Sequence, residues 1–296
     1  MVTTDGGTSA RAPRSSAATR ALSLIALPTT WMTVFYLIPL VILLAHAFWS
    51  VDYLTIDKTF TLDNFREIRE NDLYRTVFVR TVSIATIVTV IDIMLALPLC
   101  YYLAKHVRRH RELLLILVVF PLWSSYLVRA FAWRTILGTN GIMNNFLEWT
   151  GIVDQPLSVL LFSKQAMVLT YVQVWLPFMI IPVFTVIDHI PDSYLEAAAD
   201  LGSGGLTAFW RIVLPLALPG IVAGSLTVFS LTMGDYITPT LIGGPGDQMI
   251  GRIIADNFGT AFNWPLGAAL IIPVLLLIFS LMWLANRLGG LGETTR

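Results

Sequence analysis

The stretch from Ser193 to Pro215, SYLEAAADLGSGGLTAFWRIVLP, is small and polar at its start and lies between two very apolar segments. Ala197, Ala198 and Ala199 carry almost no side-chain bulk and favour helix, so the segment predicts a short soluble helix that a partner's backbone can approach closely. Ser193 stands three residues before Glu196, the spacing of a capping box, and Gly202 is placed to end the helix. A second short amphipathic helix is expected from Leu206 to Val213, ending at Leu214-Pro215. The whole loop runs from about 189 to 214.

Outward from this loop the chain reads as membrane protein. Of 296 residues, 56% are hydrophobic and 13% charged, and mean hydropathy is +0.73. That apolar surface exceeds what one water-soluble core can hide, so the bilayer is the expected solvent. A spanning helix needs ~20 mostly apolar residues. Six segments qualify, at 21–48, 77–104, 112–132, 166–188, 214–237 and 264–286. Ala45-His46-Ala47 imitates a signal cleavage site, yet the apolar run before it exceeds the ~7–15 residues of a signal peptide and predicts a retained span.

Arg11, Arg14 and Arg20 in the tail, and Lys105, Arg108, Arg109 and Arg111 between the second and third segments, place both regions in the cytoplasm by the positive-inside rule. Residues 49–76 mix Lys58, Arg66, Arg69 and Arg75 with acids and fit an outside loop. With six spans and the N-terminus inside, the C-terminus and the Glu196 loop also fall in the cytoplasm. Residues 1–20, rich in Ser, Thr, Ala and Gly without apolar period, predict a disordered cytoplasmic tail, leaving 21–296 as the membrane domain. In the outside segment 133–165, the turn Gly138–Gly141 precedes Ile142, Phe146, Leu147 and Trp149 at helical spacing, which predicts a short helix, either interfacial with Trp133 and Trp149 at headgroup level or a contact surface for a delivery protein.

Missing chemistry narrows the function. A phosphate-cradling loop needs Lys after Gly and before Ser or Thr, and Lys58, Lys105 and Lys164 are the only lysines, none following Gly. Any ATPase must therefore be a separate chain. Cys100 is the single cysteine, which excludes internal disulfides and multi-Cys clusters. His106 and His110 have helical metal-ligand spacing, but neighbouring arginines repel a cation, so no metal site is expected. His46 and His189 lie near opposite ends of spans, and no Ser-His-Asp set converges.

Acids in apolar segments mark the candidate path. A carboxylate at mid-bilayer costs ~2.5–3.5 kcal/mol on insertion scales unless it faces protein or water. Asp92, near the centre of the second span, must face the bundle, as a hydrogen-bonding partner of a neighbouring helix or as a contact for a cationic substrate. Asp235 beside Tyr236 reads as an interfacial anchor or as an amine site through ion pairing and cation–π attraction. Trp123, Tyr126, Phe131, Trp133 and Trp175 are packing residues or line a passage for an alkylammonium chain. Arg129 is expected to snorkel or to pair with Asp92 or Asp235. Pro98, Pro121, Pro177, Pro182, Pro215 and Pro219 interrupt or start membrane helices. Gly220 and Gly224 have the small-xxx-small spacing of a close helix contact, either internal or with a second membrane subunit.

The order Glu196-Ala197-Ala198, then Gly202, then Ile212 and Leu214-Pro215 resembles the EAA loop of the membrane subunits of bacterial ABC importers. Gly234-Asp235-Tyr236-Ile237-Thr238-Pro239, Leu241–Pro245, Met249-Ile250-Gly251 and Asn263-Trp264-Pro265 resemble the spermidine/putrescine permease branch. The resemblance spans about 30–290 and implies an all-α integral membrane permease of the type I importer fold, with six transmembrane helices and a cytoplasmic coupling helix. It further implies that Glu196, Ala197, Ala198, Ala199, Asp200 and Gly202 form a surface docking on an ATP-hydrolysing subunit. Implied partners are a pair of ATPase chains holding ATP and Mg, a second homologous permease, an extracytoplasmic binding protein and membrane lipid, with no nucleic acid. The chain itself would be no enzyme and carry no cofactor. Ser203-Gly204-Gly205 departs from the family's usual Ala and polar residue after the glycine and predicts a looser hinge. Other cargo, such as ferric ion, sulfate or an opine-like compound, shares the same loop. An ion-driven secondary transporter using Asp92 and Asp235 is the alternative from another class.

Overall fold

A computed structural model describes residues 17–52, 55–107, 109–157 and 160–290. Five helices are long and apolar enough to cross a membrane: Leu24–Phe48, Asp72–Lys105, Lys164–Asp188, Gly205–Gly234 and Trp264–Arg287. They are the first, second, fourth, fifth and sixth spans in chain order. The pair Arg111–Trp123 and Tyr126–Trp149 is together apolar and long enough for a sixth crossing but is bent by 90° at the break between them, the shape of a broken span or a re-entrant loop.

The core is the mutual packing of the second, fourth and fifth spans. On the second span Val77, Thr81, Ala85, Val88, Asp92, Ala96, Cys100 and Leu103 are buried, three or four residues apart, so one stripe of a 3.6-residue helix faces inward. The fourth span is buried on most sides, with Met167, Tyr171, Val174, Met179, Ile180, Val183 and Ile187 in the interior. The fifth span reaches it through glycine: a Cβ on Gly220 would stand 2.6 Å from the Pro182 carbonyl oxygen, and one on Gly224 2.7 Å from Met179 Sδ. The Gly220/Gly224 pair is thus used within the chain, where close backbone approach adds dispersion contacts. The first span packs mainly on the sixth, where Ala47 meets Ala268 and Ala269.

Several expectations change. The third segment is not the straight span expected at 112–132: helix Arg111–Val119 tightens into the turn Phe120–Trp123, and Ser124 and Ser125 are extended. Pro121 has no N–H to continue the ladder, and Ser124 Oγ donates back to the Pro121 carbonyl at 2.7 Å, closing the break. The second span begins at Asp72, where Asn71 accepts from the Leu73 N–H at 3.0 Å. Helix also begins at Ala17, ahead of the expected boundary at 20, while the tail proper, 1–16, lies outside the described residues. The loop 49–76 is built rather than irregular, with an antiparallel hairpin pairing Ser50–Asp52 with Thr55–Asp57, then helix Asp63–Glu70. The short helix Ile142–Trp149 follows the glycine turn as expected, with Trp149 exposed, whereas Trp133 donates inward to Gln173 at 2.9 Å.

Candidate functional site

The first candidate region is the helix Asp192–Asp200. The Ser193/Glu196 capping box does not form: Pro191 occupies the cap position, no side chain caps the helix, and Ser193 lies within the first turn. Proline suits the start because its fixed φ of −61° needs no N–H there. The far end behaves as read from sequence. Gly202 N–H donates to Ala199 O and Ser203 N–H to Ala198 O, both at 2.9 Å, and Gly202 has φ +79°, the paired bonds and left-handed residue of a Schellman stop.

The three alanines do not share one face. Ala198 is buried with Leu195 partly covered, while Glu196, Ala197, Ala199 and Asp200 are exposed and Leu201 is 89% exposed. The expected second helix at Leu206–Val213 is the beginning of the fifth span, which runs unbroken from Gly205 through a π-helical turn, Phe209–Val213. That wider turn comes just before Pro215, where a tighter one would bring the proline ring against the carbonyl four residues earlier. An apolar cleft of about 820 Å3 opens here between the second and fifth spans, lined by Tyr101, His106, Leu206, Phe209 and Trp210 among others.

Sequence reading missed what holds this helix. Lys105, last residue of the second span, donates to Ile190 O at 2.5 Å and to Asp192 Oδ1 at 2.9 Å. Arg111 pairs with Asp188 and lies over the Phe184 ring. Both cations had been explained by membrane orientation alone, and nothing in their spacing points to a partner some eighty residues away.

The second region is polar and lies where the fifth span ends. Asp235 is buried; its Oδ2 accepts from Tyr171 OH and the Thr238 N–H, each at 2.9 Å, and its Oδ1 accepts from the Ile237 N–H at 3.2 Å. Thr238 Oγ1 stands 2.6 Å from Tyr126 OH, and the Tyr126 ring lies 5.0 Å from that of Trp175. Asp235, Tyr126 and Trp175 are thereby brought together through Tyr171 and Thr238, neither of which was singled out from sequence. Asp235-x-x-Thr238 has the spacing of a side chain accepting from the backbone three residues on, a signal that was available. Tyr236 turns outward, 51% exposed, and Trp123, 78% exposed, sits beyond the Ser124 break, so neither joins the cluster.

Asp92 is 0% exposed, and neither of its oxygens has a hydrogen-bond partner among the described residues. The expected bond to a neighbouring helix is absent. Arg129 pairs with neither Asp92 nor Asp235; its Nη1 donates to the Val174 carbonyl at 3.2 Å.

These spans and their packing define a type I ABC importer permease fold. A crystal structure of a bacterial ABC transporter involved in import of the acidic polysaccharide alginate superposes with TM-score 0.71 at 18% identity, covering 92% of this chain and 95% of that one. Residues 85–289 match the family described as binding-protein-dependent transport system inner membrane component, and the chain belongs to that family. It is a multi-pass inner-membrane protein. It is 35% identical over 265 residues to the spermidine/putrescine transport system permease protein PotB of Escherichia coli K12, across 87% of this chain and 94% of that protein. It is 34% identical to the inner membrane ABC transporter permease protein YdcU of the same strain, across 89% and 88%. The Haemophilus influenzae PotB is 33% identical across 90% and 93%.

Proposed function

We propose that this chain is the permease subunit of an ATP-driven importer and forms the passage for polyamines, spermidine or putrescine. The carrying observation is identity of 35% sustained over nearly the full length of a protein named for those substrates. Two features support the reading: a short helix with Glu196, Ala197, Ala199 and Asp200 exposed, and buried acids able to meet an ammonium group.

In this reading both termini and the Glu196 helix lie in the cytoplasm. The exposed face of Asp192–Asp200 docks on a separate ATPase, which holds ATP and Mg, and Gly202 fixes where that face ends. Ala198 packs inward and secures the helix to the bundle. The chain makes and breaks no bonds itself. A second homologous permease completes the passage, and an extracytoplasmic binding protein delivers cargo. Closure of the ATPase pair pushes the coupling helix and switches access from outside to inside.

Asp92 and Asp235 are the proposed cation contacts, with Tyr126, Trp175 and the outlying Trp123 and Tyr236 as aromatic contacts along the route. Asp235 is engaged by three donors here, so an ammonium would have to displace at least one of them. Asp92 has no hydrogen-bond partner among the described residues, and an ammonium reaches it only after the second, fourth and fifth spans part.

The test is ATP hydrolysis by the co-expressed complex in nanodiscs, with the binding protein offered empty or loaded with spermidine or putrescine. Stimulation by a loaded polyamine supports coupling and cargo together. Hydrolysis indifferent to both polyamines refutes the cargo, and failure to co-purify with any ATPase refutes the importer reading.

A further inference from the structure

We infer that Lys105 is the positioning residue through which the helix Asp192–Asp200 moves the second span. This rests on the coupling reading of that helix and specifies the route of the push.

The helix has two connections, and they differ in stiffness. Toward the fourth span the joint is His189-Ile190-Pro191. Pro191 has a ring-fixed φ, Ile190 is buried and its N–H donates to Ile187 O at 3.2 Å. Arg111 grips one end of this joint at Asp188, and Lys105 grips the other at Ile190 O and Asp192. Toward the fifth span the link is Gly202-Ser203-Gly204-Gly205, and a Cβ placed on Gly202, Gly204 or Gly205 would meet nothing within 4 Å. Glycine has the widest backbone freedom, so a displacement of the helix dissipates on that side and is carried on the other.

Lys105 gives the stiff side its reach into the core. Its side chain is only 6% exposed, so the bond to Ile190 O is largely shielded from water, while the bond to Asp192, a carboxylate 66% exposed, is open to it; both are charge-assisted. Asp192 is the first residue of the coupling helix and Lys105 the last of the second span, the helix that carries Asp92. A push on one is a push on the other. Arg111 ties the same joint to the third segment rather than to the second span.

The test uses the assembled complex in proteoliposomes, with spermidine accumulated and ATP hydrolysed measured in the same vesicles for wild type, Lys105→Met and Lys105→Arg. Lys105→Met, which removes both bonds, is expected to assemble and hydrolyse ATP while spermidine moved per ATP falls at least about tenfold, the shift that loss of one charge-assisted hydrogen bond alone carries. Lys105→Arg, which keeps charge and donors, is expected to recover most of the ratio. An unchanged ratio in Lys105→Met overturns the inference. Should that variant fail to assemble, Lys105→Gln, which keeps a donor but loses the charge, is read in its place: a lowered ratio supports the inference and an unchanged one overturns it.

A wild-type complex that hydrolyses ATP yet moves no spermidine marks failure of the cargo reading instead. The readout is then the ATP-driven change in distance between probes at positions 94 and 216, on the exposed faces of the second and fifth spans. Loss of that change in Lys105→Met with hydrolysis intact supports the inference, and its persistence overturns it.

Discussion

Replacing Gly220 with alanine should loosen the contact between the fourth and fifth spans, and the magnitude can be worked from three distances. The new Cβ would lie 2.6 Å from the Pro182 carbonyl oxygen, 3.0 Å from Val186 Cγ2 and 3.1 Å from the Pro182 carbonyl carbon. Ordinary contact begins at 3.4 Å, so the two helices must part by about 0.8 Å along the first of these lines. Two of the three atoms are backbone and cannot rotate away. Overpacking of this kind costs ~1–3 kcal/mol. Gly224→Ala meets Met179 Sδ at 2.7 Å, which a methionine rotamer change relieves, and Met179 Cα and Pro182 Cγ at 3.2 Å, which need a shift of only ~0.2 Å, so its cost falls below that of Gly220→Ala. Gly204→Ala is the control: its φ of −69° suits any residue and the space is open, so no loss is expected. The assay is the fraction of each purified variant that stays monodisperse after heating in a single detergent, as unfolding of such proteins is commonly irreversible and only the rank order is used. The order expected is Gly204→Ala equal to wild type, then Gly224→Ala, then Gly220→Ala. Gly220→Ala as heat-resistant as Gly204→Ala would refute the internal contact and return the glycine pair to an interface with a second subunit.

Gly202→Val places a β-branched residue at φ +79°, costing ~1–2 kcal/mol locally, and should abolish polyamine-stimulated ATP hydrolysis while the membrane spans still purify folded. Asp235→Asn replaces one accepting oxygen with a donor amide, which meets either the Ile237 N–H or the Thr238 N–H and Tyr171 OH, so thermal stability should fall by ~1–3 kcal/mol, with Thr238→Val the milder change. Asp92→Leu should do the opposite: removing a buried carboxyl without partners raises heat resistance, and spermidine uptake is lost. Uptake retained by Asp92→Leu would take that residue off the path.

The membrane spans were readable because burial in lipid or in the bundle demands long apolar runs, and five of the six segments, all but 112–132, correspond to single long helices among the described residues. The stop at Gly202 was readable because left-handed backbone selects glycine. Features set by one missing hydrogen bond were not. The apolar run continues through Ser124, so hydropathy draws one span where the backbone turns 90°. Leu206 to Val213 looks amphipathic and ends at a proline, yet a π turn carries the helix past Pro215. Of the candidate site, Asp235, Tyr126 and Trp175 were chosen for residue type and proved close in space, but the groups joining them, Tyr171 and Thr238, are unremarkable in sequence. Lys105 and Arg111 had a sufficient explanation in topology, which concealed a second one.

The two candidate regions are joined by a single element. Tyr171 holds Asp235 near one end of the fourth span, and Asp188 closes its other end under Arg111. At 1.5 Å per residue the separation is ~26 Å, close to the ~30 Å of a hydrocarbon core, so one helix reaches from the polar cluster to the joint that precedes helix Asp192–Asp200. A rod of that length transmits a push only as far as it stays straight. Pro177 and Pro182 stand between the two ends, each removing an N–H from the ladder, and Pro182 is the residue whose carbonyl meets Gly220. The fourth span is therefore weakest where the fifth grips it most closely, and a bend there would change the two spans together. Pro182→Ala restores the missing bond and should straighten that point. Spermidine transport is then expected to slow while ATPase docking, read by co-purification, is unchanged; transport at the wild-type rate would mean that the fourth span moves as a rigid body and that bending at Pro182 plays no part.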